Sequence, residues 1–402
     1  MTRSPQIAII GAGIGGLTLG IDLRRRGFDV TIHEQTTQLR EIGAAVALSA
    51  NATRFYEGRL ELGDQLARSW AEVETLIFRD GLDGRVIARL GDRADYRRRF
   101  GAPYVGIHRA DLQAALSGAF GTDGLHLGRR LTGIRETSTE AVLEFADGST
   151  ANADLVIGAD GARSTVRRLL LGYDDTLFSG CTGTRGIVGP ELLSQLPDPG
   201  AIQFWMGAGG HLLHYPIGGG AHNFLLVRRE GIPWPHETWV AGIDDGSHLA
   251  DFADWHPAVR QLIGAVGVTE RWALYHRPPL SRWSRGRITL LGDAAHALVP
   301  HHGQGANQSI EDAIVLADQL GAHTDLDHAR AAYERLRRGR TRKVQYASIT
   351  AADVLHLPPG PRADRRNARL AQAGAFDRHL AWIHGFDASA DEPDDAGGGT
   401  WW

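Results

Sequence analysis

Three passages of the chain share one pattern: an apolar run, a turn of small residues, then apolar positions at helical spacing. The first starts with IAII at Ile7 and passes through GAGIGG into LTLGIDLRRRG. It is followed by VTIHE, which ends on Glu34. Strand, turn, helix and strand in that order predict a βαβ unit. The second passage, ADLVIGADGARSTVRRLLL over 153–171, predicts a strand ending at Asp160 and Gly161 and a helix with Ser164 as its N-cap. The third, RITLLGDAAHALVPHHGQGANQSIEDAIVLADQL over 287–320, predicts a strand ending at Gly292 and Asp293 and a long amphipathic helix from about Ala306.

Between about 180 and 277 the pattern changes to short β-rich runs broken by Gly and Pro, and LIFRDGLDGRVIARL reads as a hairpin around Asp83 and Gly84. The expectation is an α/β protein: a Rossmann-like nucleotide-binding domain, a second, β-rich substrate domain and a C-terminal helical segment. The first would be assembled from 1–73, 101–179 and 278–345, and the second from 74–100 and 180–277. The helical segment would cover 346–387, and the acidic, glycine-rich stretch 388–402 reads as a disordered tail. If AIQFWM and HLLHYPI pair across GAGG, a symmetric turn sets Met206 opposite His211, Phe204 opposite Leu213 and Ile202 opposite Tyr215.

A length of 402 residues exceeds one ordinary domain, and 43% hydrophobic content suffices for a sizeable core. The net charge of -4 gives no electrostatic reason to expect nucleic acid or an anionic membrane as partner. Cys181 is the only cysteine, which excludes an intrachain disulfide and a cysteine metal cluster and fits a reducing cytoplasm. The first strand begins within about six residues of Met1, so no signal peptide is expected. No apolar stretch approaches the roughly 20 residues of a membrane span.

The glycine turn carries the first chemistry. Gly11 allows the tight turn, Gly13 lets a pyrophosphate approach the backbone, Gly16 lets helix and strand pack closely, and Glu34 is spaced to hold a ribose diol. That combination reads as a site for the ADP half of FAD or NAD.

Taken together, GAGIGG, HRADL at 108–112, GADGARSTVR at 158–167 and GDAAHALVPHHGQGANQSIED at 292–312 resemble the flavin-dependent aromatic hydroxylases that act as single-component monooxygenases. The resemblance spans about residues 6–345 and points to the salicylate, 3-hydroxybenzoate and 6-hydroxynicotinate hydroxylase branch. It implies bound FAD, NADH or NADPH as a transient co-substrate, and O2 as substrate. The implied activity is hydroxylation of a small phenolic or N-heteroaromatic compound through a flavin C4a-hydroperoxide. It also implies that Asp293 accepts a ribityl hydroxyl and that Gly305, Ala306 and Asn307 present a helix start to the flavin. Arg109 would reach the FAD linker, with a surface ion pair to Asp111 as the bland alternative. Asp160 and Gly161 would hold the pyrophosphate region, Gly43 and Val46 would lie beside the isoalloxazine, and Leu131 would touch adenine.

Electrophilic hydroxylation favours a phenolate, so a base is expected near the substrate hydroxyl, and histidine suits that task near neutrality. His302, in PHHGQG before the flavin-facing helix, is the first candidate, with His301 its immediate neighbour. His211 and Tyr215 follow, because the hairpin puts both on one apolar face and His214 on the other; the 6-hydroxynicotinate branch carries His and Tyr in this segment. Ordinary sheet packing is the competing reading for both. Ile202 and Ala47 depart from the cysteine and histidine of that branch, and Arg185 reads as a structural sheet arginine or a carboxylate partner. The expected partner is a small aromatic substrate, with no nucleic acid and no membrane, in a monomer or homodimer. A flavoprotein oxidoreductase without oxygen insertion and a non-enzymatic flavin-binding redox sensor are the alternatives.

Overall fold

In the computed structural model, which describes residues 4–39, 44–173, 175–236, 238–243, 250–267, 270–375 and 379–390, the strand Gln6–Ile10 lies inside a mostly parallel sheet. Among the described residues this sheet has six strands, in the order Ser284–Arg285, Ile288–Leu290, Leu155–Gly158, Gln6–Ile10, Asp29–His33, Leu125–His126. Only the Ser284–Arg285 edge pairs antiparallel. Ile7, Ile9, Ile157 and Leu290 are almost fully buried, which is why these strands read as continuous apolar runs. The helix Ile14–Arg25 packs against the helix Gly305–Ala322, so the first and last thirds of the chain share one core. Ser164 caps the helix Thr165–Leu171 by accepting from the Arg167 N–H at 2.8 Å.

The β-rich part forms a second sheet of eight strands among the described residues, in which all neighbours are antiparallel except Ile202–Gly207 and Leu76–Asp80. The hairpin around Asp83 and Gly84 pairs Leu76–Asp80 with Val86–Leu90 at its edge. The expected register is found: Met206 faces His211 and Phe204 faces Leu213, with Gln203 opposite His214 between them and the Ile202 row. Cross-strand pairing extends these into rows on one face. Arg185, Leu225, Leu213, Phe204 and Phe78 form one row, flanked by Ile187, Asn223 and Tyr215 on one side and by Gly183, Val227, His211 and Met206 on the other. A small three-stranded sheet, Ala45–Leu48, Val105–His108 and Trp70–Glu72, stands between the two large ones.

Two expected boundaries differ from the structure. The helix Leu326–Leu355 is continuous for 30 residues, so a division between 345 and 346 would cut through it. Ala388 is only 4% exposed and belongs to the main core, so the chain is still packed where the tail was expected to begin; residues 391–402 lie outside the described residues. No described helix is long and apolar enough to cross a membrane.

Candidate active site

The carboxyl ends of the parallel strands open onto a cavity of about 590 Å³ that continues, without interruption, to the face of the eight-stranded sheet. At its nucleotide end, Gly11 adopts φ +110°, and a Cβ on Gly16 would stand 2.2 Å from the Gly11 carbonyl oxygen. Gly13 has no atom within 4 Å of where its Cβ would be, so the bare backbone at the start of the helix Ile14–Arg25 faces the open groove. Unpaired N–H groups and the positive end of the helix dipole suit a pyrophosphate there. Glu34 accepts the Ala12 N–H at 2.9 Å on one oxygen and the Thr36 N–H at 2.9 Å on the other. Each oxygen keeps a lone pair that could take a ribose hydroxyl. Leu131, Val46 and Arg109 also line this cavity, whereas Gly43 lies outside the described residues.

Farther along, Asp293, Gly305 and Ala306 line the groove together with Asp160 and Gly161. Burial raises the Asp293 carboxyl above its usual range, against the pull of His296 and Arg109. Two assigned side chains are occupied elsewhere. Asp160 accepts from the Ser164 hydroxyl and from the Thr165 and Val166 N–H groups at 2.7 and 3.1 Å, so its carboxylate caps the next helix. Asn307 is fully buried: its amide donates to the Ala47 carbonyl at 3.0 Å and its oxygen accepts the Ser49 N–H at 2.9 Å. It thereby ties the strand Ala45–Leu48 to the helix Gly305–Ala322 instead of reaching into the cavity.

Behind this helix sits an entirely buried charge network. Arg337 reaches Asp312 at 2.7 Å and Glu311 at 2.5 Å, Arg340 reaches Glu311 at 2.6 Å, and Asp312 also pairs with His296 at 2.6 Å. Two carboxylates and two guanidiniums balance, and Asn51 adds a hydrogen bond to Glu311 at 2.6 Å. Complete pairing is what lets such charges leave water. The network fixes the helix whose first turn faces the groove.

At the sheet end, Ile202, Phe204, Leu213 and Leu225 make an apolar wall. Tyr215, Asn223, Arg185, Tyr104 and His302 supply its polar points. Burial raises the Tyr215 phenol, keeping it a neutral donor. His302 is pushed down to about 3 by burial, with His301 and His384 nearby, so its ring is unprotonated at neutral pH. His211 is a different case. Its side chain is fully buried, its Nδ1 lies 2.7 Å from His356 Nε2, and His301 packs edge-on against it at 5.4 Å. It shares the sheet face with Tyr215, but His301 and His356 pack against its ring, and it is absent from the described cavity lining.

Arg185 departs from its structural reading in the other direction, since it lines the cavity and stacks 3.8 Å from the Trp272 ring centre. Tyr104 and Asn223 were missed. For Asn223 a signal existed, because it pairs directly with Tyr215 once the hairpin logic is carried across the GGGA turn. Tyr104 stands five residues before Arg109, directly ahead of the strand Val105–His108 that leads into HRADL.

A nucleotide-binding glycine turn, a helix start facing the same groove and an apolar chamber at its far end define a flavoprotein, and the lining fits FAD from Glu34 to Ala306. Comparison with known proteins agrees. Residues 259–347 match the FAD binding domain family and residues 9–46 the NAD(P)-binding Rossmann-like domain family. The chain is 39% identical to a 3-amino-4-hydroxybenzoate 2-monooxygenase of Streptomyces platensis, covering 96% of this chain and 98% of that one. It is 36% identical to a 6-hydroxynicotinate 3-monooxygenase of Bordetella bronchiseptica, covering 87% and 91%. A salicylate hydroxylase substrate complex superimposes with a TM-score of 0.82 at 28% identity, covering 97% of this chain and 98% of that chain. The chain belongs to the FAD-dependent aromatic hydroxylases: it is a flavin monooxygenase of small aromatic substrates, in a family that uses NAD(P)H and O2.

Proposed function

We propose that the chain hydroxylates a small phenolic or N-heteroaromatic compound bound against the Tyr215 wall, with His302 as the base that takes the substrate's hydroxyl proton. The observation that carries this reading is the single continuous cavity joining Glu34, Asp293 and Gly305 to Tyr215 and His302. Bound FAD would pass on the reducing equivalents taken from NAD(P)H and supply the oxygen activation. Gly13 admits its pyrophosphate beside the turn that Gly11 and Gly16 make possible, Glu34 its ribose, and Leu131 and Arg109 the adenine side and linker. Asp293 accepts from the ribityl chain. Val46, Gly305 and Ala306 bring backbone groups to the flavin ring, and Gly161 shapes the turn beside it.

His302 accepts the phenol proton on a ring nitrogen. The phenolate it creates is an opposite charge that holds that proton in place, overcoming the burial that favours the neutral ring. Phe204, Leu213 and Leu225 exclude water from the reacting face, which protects an oxidising site from unproductive decay. Tyr215 and Asn223 orient the ring by hydrogen bonds.

The test is anaerobic stopped-flow reduction of the holoprotein by NADH and by NADPH against a panel of hydroxybenzoates and hydroxypyridines. A substrate should accelerate reduction and, in air, gain one oxygen atom by mass. Absence of acceleration by every compound would overturn the reading. His302→Ala should bind FAD normally and lose hydroxylation, whereas unchanged hydroxylation would remove His302 from the chemistry.

A further inference from the structure

The long helix Leu326–Leu355 and the segment leading into the Ser284–Arg285 edge strand enclose a separate cavity of about 390 Å³, which shares no described lining residue with the flavin cavity. Pro279, Leu280 and Trp283 supply its apolar lining and Arg338 and Arg342 its charge, with no acidic side chain among the described lining residues. Arg338 donates to the Ser281 carbonyl and lies 3.7 Å from Glu334, yet its side chain is still 47% exposed. Arg342 stands 5.7 Å from the Tyr346 ring centre. Both guanidiniums therefore keep N–H donors for a ligand.

The third polar point is buried. His296, 2% exposed, lines this cavity; its Nε2 is 2.6 Å from Asp312, and its Nδ1 has no hydrogen-bond partner. Because the Asp312 carboxylate accepts at Nε2, the ring's proton sits there and Nδ1 is left as a lone-pair acceptor. The neighbouring polar groups are committed. The Thr341 hydroxyl donates to the Arg337 carbonyl at 3.1 Å, and the Gln345 amide donates to the Arg277 and Ala297 carbonyls at 3.2 and 3.1 Å. A buried acceptor of this kind calls for a partner.

We propose that this cavity is a second ligand site, for a small molecule that carries both an oxyanion and a hydroxyl: the oxyanion meets Arg338 and Arg342, and the hydroxyl donates to His296 Nδ1. Arginine pairs with a carboxylate or a phosphate through parallel N–H···O bonds. The site stands behind the flavin groove. His296 belongs to the same one-turn helix, Asp293–His296, as the aspartate that lines the groove, and the Asp312 oxygen that holds its Nε2 also accepts the Gly292 N–H at 2.9 Å. A hydroxyl on Nδ1 polarises the ring and strengthens the bond from Nε2 to Asp312. Occupancy thereby firms the turn that presents Asp293 to the flavin, which makes this an effector site.

Two matched pairs test the site by isothermal titration calorimetry on the FAD-loaded protein: glycerol 3-phosphate against propyl phosphate, and L-malate against succinate. Each pair keeps the charge and removes the hydroxyl, and the two pairs separate a phosphate source from a carboxylate one. At least one hydroxylated member should bind roughly three- to tenfold more tightly than its counterpart, the scale of one hydrogen bond. Arg338→Met and Arg342→Met should each weaken it about tenfold or more. Arg282→Met and Arg335→Met, in the adjoining groove, should leave it unchanged. His296→Gln, which keeps a donor for Asp312 and removes Nδ1, should abolish the preference within the pair; if that variant does not fold, the exposed Arg342→Met still decides the site. By flavin-fluorescence titration, the bound probe should raise FAD affinity roughly fivefold, and FAD should raise the probe's affinity by the same factor.

Absence of binding by all four compounds would overturn the site. So would Arg282→Met and Arg335→Met variants that weaken binding as much as Arg338→Met and Arg342→Met, because diffuse surface charge would then suffice. Equal affinity within both pairs would overturn the role of His296, and binding that leaves FAD affinity unchanged would overturn the coupling to the flavin.

Discussion

His211 Nδ1 lies 2.7 Å from His356 Nε2, joining the eight-stranded sheet to the end of the helix Leu326–Leu355 across 145 residues of sequence. One ring donates and the other accepts, so both can remain neutral in a fully buried setting. Burial, with His356 and His301 nearby, holds His211 well below the ordinary histidine range. This makes the pair a packing element. His211→Ala and His356→Ala should each lower stability by about 1–3 kcal/mol by leaving the other ring without its bond. KM for the aromatic substrate should stay near the wild-type value. Denaturant unfolding and steady-state kinetics check both, and a large rise in KM at unchanged stability would return His211 to the substrate site.

Buried histidines also set the acid side of the stability profile. His301 is pushed down to about 4 and His356 to about 3, chiefly by burial. Between pH 6.5 and about 4 the unfolded chain therefore binds protons that the folded chain does not, so stability falls as pH falls through that window. Each such group contributes a slope of up to about 1.4 kcal/mol per pH unit. Thermal unfolding from pH 7.5 to 4.5 should show Tm decreasing below pH 6.5, and His301→Gln should flatten the decrease. A flat wild-type profile down to pH 5 would count against neutral burial of these rings.

Arg337 bridges two carboxylates that have no exposure to water. Arg337→Met leaves Glu311 and Asp312 with less countercharge and should cost about 3–5 kcal/mol, typical of breaking a buried ion pair from one side. Because the network anchors the helix that begins at Gly305, flavin content should fall together with Tm. Retention of both would mean that Arg340 and His296 suffice alone.

Gly13 and Gly16 should separate cleanly. A Cβ at Gly16 collides with the Gly11 carbonyl at 2.2 Å, so Gly16→Ala should destabilise the apoprotein itself. A Cβ at Gly13 meets nothing within 4 Å, so Gly13→Ala should leave the apoprotein's Tm unchanged while weakening FAD binding, on the order of tenfold or more for loss of close pyrophosphate approach. Apoprotein melting curves and flavin-fluorescence titration distinguish the two; equal effects on both readouts would refute the division of roles.

Much of the scaffold was legible in local pattern, because strand and helix periods and turn residues act over a few positions. IAIIGAGIGG already specified a strand, a positive-φ turn and a close helix contact. The alternation in AIQFWM and HLLHYPI specified the hairpin register and put His211 and Tyr215 on one face. Tertiary contacts decided which side chains of that face stay open. His301 and His356, brought in from remote segments, cover His211, while Arg185, Leu213, Phe204, Tyr215 and Asn223 line the cavity. The same holds for Asn307 and Asp160, whose side chains are drawn into bonds with Ala47, Ser49 and a neighbouring helix. Side-chain alternation assigns a residue to a face; whether that face meets a ligand or another helix depends on long-range packing that no local period encodes.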